Sequence, residues 1–244
     1  MIRRTATVLL SAVSVLALVV VAASSAAAAG RQGVAHAPNH KISKSTSGNW
    51  SGYAVTGGTY TTVTSNWVQP AVTCNGTAYS SFWVGIDGDT SGTVEQTGTE
   101  ADCNGSTPVY SAWYEMYPKF PVNYSNPVVP GDHFTGRVTT DGKGNFTLSL
   151  SNTTRGWTQT VSKRLRSAKL ASAEVIAEAP SSSGGVLPLA NFGTVGFSGA
   201  TVNGAALTSS TPGIDAITMQ SGSTVKAQPS AISGGSFSVA WRHA

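Results

Sequence analysis

The chain has 244 residues, of which only 11% are charged, with 27 Gly, two Cys and a formal net charge of +4. Without Arg3 and Arg4 that charge falls to about +2, too weak a field to argue for a nucleic-acid partner. The sequence contains no GxSxG elbow, HExxH helix, glycine-rich phosphate loop or calcium-loop signature, so nothing in it calls for a cofactor or a metal.

Arg3 and Arg4 precede an apolar run from Val8 to Ala23, and small residues from Ser24 to Ala29 lead into Gly30. That three-part pattern predicts a secretory signal peptide over residues 1–29, hence a secreted, extracellular protein with no membrane association after cleavage. Residues 30–48 are polar, carry Pro38, and show no hydrophobic period, which predicts a linker or short pro-segment. His36 and His40 lie within it at i and i+4, but without a helical pattern or an acidic third ligand they read as a solvated tail.

From Asn49 onward, short β-branched and aromatic runs alternate with Gly, Asn, Pro and Asp. Strands are predicted over 50–55, 60–68, 79–86, 94–97, 109–117, 133–140, 146–151, 158–162, 173–178, 194–202, 216–220 and 236–241. A helix competes only over 165–178, where Val175 and Ile176 favour a strand. The pattern is all-β and implies a single antiparallel β-sandwich domain over residues 49–244, expected to be a monomer. Cys74 and Cys103 are the only cysteines, and in an oxidising compartment they are expected to form a disulfide. Closing that loop stabilises by roughly 3 to 4 kcal/mol on a chain-entropy model. Lys163, Arg164, Arg166 and Lys169 form the one basic cluster, read as a solvated loop or strand edge.

Strand alternation sorts the side chains that carry chemistry. In residues 81–87, Phe82, Val84 and Ile86 face one way, and Trp83, Gly85 and Asp87 the other. Trp113, Glu115 and Tyr117 share a face, as do Glu174, Ile176 and Glu178. In a chain this poor in acids, aromatic faces that carry carboxylates suit a groove, where buried carboxylates need partners. Each residue also has an ordinary explanation: Trp83 and Trp113 as core, Asp87 as a turn residue, Glu115 and Gln96 as exposed strand positions. With few histidines in the body of the chain and both cysteines paired, carboxylate or amide chemistry remains.

Four segments, FWVGIDGD at 82–89, VEQTG at 94–98, AWYEMYP at 112–118 and AEVIAE at 173–178, occur in the order and spacing of the glutamic peptidases, the eqolisins, which this chain resembles from NWSGY at 49–53 to Trp241. The resemblance implies a sandwich of two large sheets, of concanavalin A-like or jelly-roll type, and an endopeptidase acting on protein or peptide substrates. It implies a catalytic dyad of Gln96 and Glu178, with Trp83, Asp87, Glu115 and Trp113 in supporting or substrate-binding places. Met116 stands where the family pattern has an aromatic residue, which is expected to alter one wall of the groove. Glu178 would act as general base and then general acid on water, and Gln96 would stabilise the oxyanion, with acidic working pH natural for a carboxylate. The alternatives are a glycoside hydrolase, with a cross-strand carboxylate pair such as Glu115 and Glu178, and a non-catalytic carbohydrate-binding sandwich module.

Overall fold

The structure is a computed structural model that describes residue 36 and residues 45–244. The expected signal peptide, His40 and the rest of the linker up to residue 44 apart from His36 lie outside the described residues.

Among the described residues every regular element is a strand. The first six are β1 (Thr46–Ser47), β2 (Trp50–Thr56), β3 (Thr62–Val68), β4 (Ser81–Ile86), β5 (Val94–Asn104) and β6 (Thr107–Tyr117). Next come β7 (Val122–Asn123), β8 (His133–Thr140), β9 (Asn145–Asn152), β10 (Trp157–Arg164), β11 (Ser172–Glu178) and β12 (Ser181–Ser182). The last are β13 (Gly185–Val186), β14 (Thr194–Val202), β15 (Ala205–Ala206), β16 (Ile214–Ser221), β17 (Thr224–Pro229) and β18 (Phe237–Trp241).

One layer runs β16-β2-β11-β4-β5-β6-β7 and the other β10-β9-β8-β3-β14-β18-β17-β16. Strand β16 belongs to both: Ile214 to Ile217 pair with β2, and Met219 to Ser221 pair with β17, across a register shift. The layers stack face to face, with β3, β8 and β9 packed on β4 and β5. The all-β sandwich expected from the turn-punctuated sequence is therefore the fold observed.

The alternating pattern explains which side chains fill the interior. Phe82, Val84 and Ile86 of β4 join Phe134, Val138, Leu148, Leu150, Val175, Phe197 and Val239 in one large core between the sheets. Trp67 crosses that core and donates its indole N–H to Thr99 Oγ1 at 2.9 Å, so even its polar edge is satisfied. The opposite face of the β2-β11-β4-β5-β6 layer carries a second, smaller cluster of Trp50, Ala54, Trp83, Val94, Trp113, Ile176 and Ile217. A sheet apolar on both faces is unusual for a simple sandwich, and the second face is where the site lies.

Two differences from the sequence reading have local causes. Strand β5 continues to Asn104 rather than stopping near Thr97, because Gly98 is part of the ladder and not a breaker. A Cβ at Gly98 would lie 2.3 Å from the Phe82 carbonyl oxygen and 2.6 Å from Trp83 Cβ, so glycine there lets β4 and the Trp83 side chain approach. Strand β17 has no counterpart among the predicted strands, since TVKAQP carries a lysine and ends in proline.

The Cys74 and Cys103 sulfurs are bonded, with Cα atoms 5.3 Å apart, and close a loop that contains all of β4 and most of β5. The basic residues Lys163, Arg164, Arg166 and Lys169 are exposed.

Candidate active site

Register alone assembles the site. Antiparallel pairing sets Glu178 opposite Ser81, Ile176 opposite Trp83 and Glu174 opposite Gly85. From β4 the same rows continue to Glu100, Gly98 and Gln96 on β5, and then to Ser111, Trp113 and Glu115 on β6. Because directly paired residues project to the same face, Glu178, Trp83, Gln96, Glu115 and Trp113 share one surface of the layer. Gly85 leaves room in the middle of it: a Cβ there would come within 2.9 Å of the Trp83 ring and 3.1 Å of Gln96 Cβ.

Glu178 is buried and held at both oxygens. Trp83 Nε1 donates to Oε2 at 2.7 Å, and Asn49 Nδ2 donates to Oε1 at 3.1 Å. The Asn49 amide is oriented in turn by Ser47, whose hydroxyl donates to Asn49 Oδ1 at 3.2 Å and accepts from the Trp50 N–H at 3.1 Å. Trp50 meets Trp83 edge-on, with ring centroids 4.9 Å apart, which fixes the indole that donates to Glu178.

Gln96 is buried beside Glu115, donating from Nε2 to Glu115 Oε2 at 2.8 Å. Its second Nε2 hydrogen goes to the backbone carbonyl of His36. Both partners are acceptors, so the network requires the nitrogen on that side, and Gln96 Oε1 makes no hydrogen bond to the protein.

His36 sits in the middle of these groups, fully buried. The solvated tail expected at this position is corrected: the imidazole stacks on Trp113, with centroids 3.9 Å apart and planes within 7°. Its Nε2 lies 3.2 Å from Glu100 Oε1, and its Nδ1 lies 3.7 Å from Glu178 Oε2 and 3.2 Å from Ser81 Oγ. Its backbone N–H donates to Glu115 Oε2 at 3.1 Å. The linker composition predicts solvation only if the fold offers nothing to bind, and a flat wall between two carboxylates binds an imidazole well.

Electrostatics follow from burial with few charges to share. Burial opposes a charge on His36, but Glu100 and Glu178 outweigh it and push the imidazole up to about 10, so it is held as imidazolium. Glu178 is raised above the ordinary carboxylate range by burial, with His36 and the Trp83 N–H pulling it back. Burial pushes Glu115 up to about 8; the His36 charge pulls against this and the Glu178 charge adds to it. Glu174, on the same face and fully buried, is likewise raised well above its ordinary value by burial.

Asp87 lies apart from the His36 cluster. Its carboxylate accepts backbone N–H bonds from Lys169, Leu170 and Ala171 at 2.8 to 2.9 Å, so it anchors the chain entering β11. Met116 faces the inter-sheet core, paired with Glu95 across the ladder, so the expectation that it alters a groove wall is corrected. Asn49, Ser47, Ser81 and Glu100 join the site without having been singled out by sequence reasoning. Of these only Asn49 carries a signal, its place at the head of NWSGY. Among the described residues no group of three or more His, Cys, Asp or Glu has a metal-holding arrangement.

A family model for the peptidase A4 family matches residues 48–241. The chain belongs to this family. It is 29% identical over 187 residues to aspergillopepsin-2 of Aspergillus niger, an alignment spanning 66% of this chain and 66%, just under two thirds, of that relative's length. A crystal structure of scytalido-glutamic peptidase with a peptide-based transition-state analogue superposes with a TM-score of 0.70 at 26% identity, covering 80% of this chain and 98% of that one. SCP-B, a member of the eqolisin family of peptidases in a complex with the tripeptide Ala-Ile-His, gives 0.67 at 25% identity, again covering 80% and 98%. The glutamic-peptidase (eqolisin) resemblance read from the four motifs is thus the family observed.

Proposed function

We propose that this A4-family chain is a secreted endopeptidase, monomeric and most active at acidic pH, that hydrolyses protein or peptide substrates through Gln96 and Glu178. The observation that carries the reading is convergence. The amide of Gln96 and the carboxylate of Glu178, brought by strands 82 residues apart in sequence, meet on the same residue, and Gln96 donates to a peptide carbonyl there. The peptide-based analogue on scytalido-glutamic peptidase and the tripeptide on SCP-B support a peptide in the corresponding groove.

Ionised Glu178 takes a proton from the attacking water and returns it to the leaving amine. Because burial raises this carboxyl above the ordinary range, its ionisation sets the acid limb of the activity profile, and the working range lies toward the milder end of acidic pH. The Gln96 Nε2–H group stabilises the oxyanion that forms on the scissile carbonyl, a single donor typically being worth about a hundredfold to a thousandfold in turnover. Glu115 holds that amide, while Trp83 and Asn49 hold the carboxylate. Family membership leaves the glycoside hydrolase and carbohydrate-binding readings without a specific observation in their favour. The test is digestion of casein and a peptide library across a pH range from about 2 to about 8 by the wild type, Glu178→Gln and Gln96→Ala. Both variants are expected to lose at least about a hundredfold in kcat; unchanged cleavage by either would overturn the dyad.

A further inference from the structure

The surface of this chain is far more one-sided in charge than its net charge suggests. Among the described residues Asp141 is the only exposed acid, whereas nearly all the lysines and arginines are exposed. Even Asp141 is occupied: its carboxylate accepts from the Lys143 and Asn145 N–H groups and from Asn145 Nδ2 at 2.6 to 3.1 Å.

Cations without a carboxylate partner frame the outer face of β8, β9 and β10. Register sets Arg137 opposite Ser149 and Ser149 opposite Thr160, and farther along sets Asn145 opposite Arg164. Between those rows lies a third, Thr139, Thr147 and Ser162. Four residues of β9 separate the outer rows, so the Arg137 and Arg164 positions stand roughly 13 Å apart along the strands. Lys143 and Arg166 gather at the Arg164 end, where the Leu165 N–H donates to the Gly144 carbonyl at 2.9 Å. A depression of about 380 Å³ opens there, with Thr139, Asn145, Thr147, Ser162 and Arg164 in its lining. Hydroxyls continue along the face: Ser149 meets Thr160 at 3.2 Å and Ser151 meets Thr158 at 2.9 Å, each pair keeping hydrogen-bonding capacity toward solvent. No aromatic side chain shares these outward rows, because Phe134, Phe146 and Trp157 fall on the alternate positions that pack into the core. Lys163 also belongs to the alternate set, its ammonium 5.1 Å from the centre of the Tyr114 ring.

We propose that this face docks an acidic polysaccharide, whose sugar hydroxyls meet the Ser and Thr rows while its carboxylates meet Arg137 and Arg164. A guanidinium pairs with a carboxylate through two parallel N–H bonds. A single-stranded nucleic acid would find charge here but no ring on which to stack a base. The surface carrying Gln96 and Glu178 lies on the far side of the other layer, so a protein held by this face keeps that surface free. The docking role goes beyond the peptidase reading and does not depend on it.

The experiment titrates the full chain with polygalacturonate by calorimetry at about pH 5, where uronate carboxylates are ionised. Methyl-esterified polygalacturonate and a single-stranded oligonucleotide of matched charge serve as the comparison probes. The variants are Arg137→Gln with Arg164→Gln, and Thr147→Val with Thr160→Val, whose melting temperatures are expected to match the wild type because all four side chains point outward. Polygalacturonate is expected to bind at least about tenfold more tightly than its ester, and the arginine pair to lose about tenfold or more of that affinity. The threonine pair is expected to lose about threefold or more, through the sugar hydroxyls. No binding of polygalacturonate, equal binding of the ester, or full affinity in the arginine pair overturns the proposal. An oligonucleotide bound as tightly, or a threonine pair with undiminished affinity, shows a face that reads charge alone and overturns the polysaccharide as its partner.

Discussion

Asn49 and Glu178 are bonded, Nδ2 to Oε1 at 3.1 Å, although 129 residues separate them in the chain. Asn49 lies just before β2, and β2 is the neighbour of β11, so the first strand of the main layer delivers a donor to the carboxylate that ends the later one. Hydrogen bonds to a charged group contribute about 1.5–3 kcal/mol, and they stabilise the ionised form of Glu178 specifically. Asn49→Ala is therefore expected to move the acid limb of the kcat/KM profile up by about one pH unit, since one unit corresponds to about 1.4 kcal/mol. An unshifted limb would show that Asn49 serves the fold only.

Glu115 acts on Gln96 rather than on substrate chemistry. With Glu115→Ala the Gln96 amide loses the acceptor that fixes its rotamer. The expected result is a fall of about tenfold or more in kcat with KM little changed, read from steady-state kinetics on one good peptide.

Gly98 marks a close approach of β4 and β5, and Gly98→Ala tests what that approach holds in place. The added methyl would collide with the Phe82 carbonyl and with Trp83. A loss of about 1–3 kcal/mol in stability is expected by denaturant unfolding, together with displacement of the indole that holds Glu178.

Stability should favour acid. Burial pushes Glu95 up to about 8, aided by the negative charge of Asp87, and pushes Glu115 to about the same value. In the unfolded chain both titrate near 4.5. Between those values the folded state binds more protons, so the stabilisation is complete below about 4.5 and is lost as pH rises through about 8. The melting temperature is expected to fall from about pH 4 to about pH 8, and Glu95→Gln to flatten the fall. A melting temperature that rose over this range would contradict the protonated assignment.

The disulfide clamps the half of the site that carries Gln96. Cys74→Ser with Cys103→Ser opens a loop spanning 29 residues, and about 2–4 kcal/mol of stability should be lost, measured by chemical denaturation.

Much of this arrangement is local and therefore legible in the sequence. Alternation along a strand has a period of two, so the sequence by itself determined that Trp83 and Gly85 share a face, that Trp113 and Glu115 share another, and that Glu174, Ile176 and Glu178 share a third. Turn residues between short apolar runs determined the all-β class, and four ordered motifs determined the family. What the sequence could not decide is which strands become neighbours, because pairing between distant segments depends on the closure of the whole sandwich. Only the tertiary structure set β11 beside β4, placed Asn49 on Glu178 and turned Asp87 to the backbone of 169–171 instead of the groove. It alone also brought His36 out of a polar, unpatterned segment and into the site, where the partners that make burial of an imidazole favourable come from several different strands.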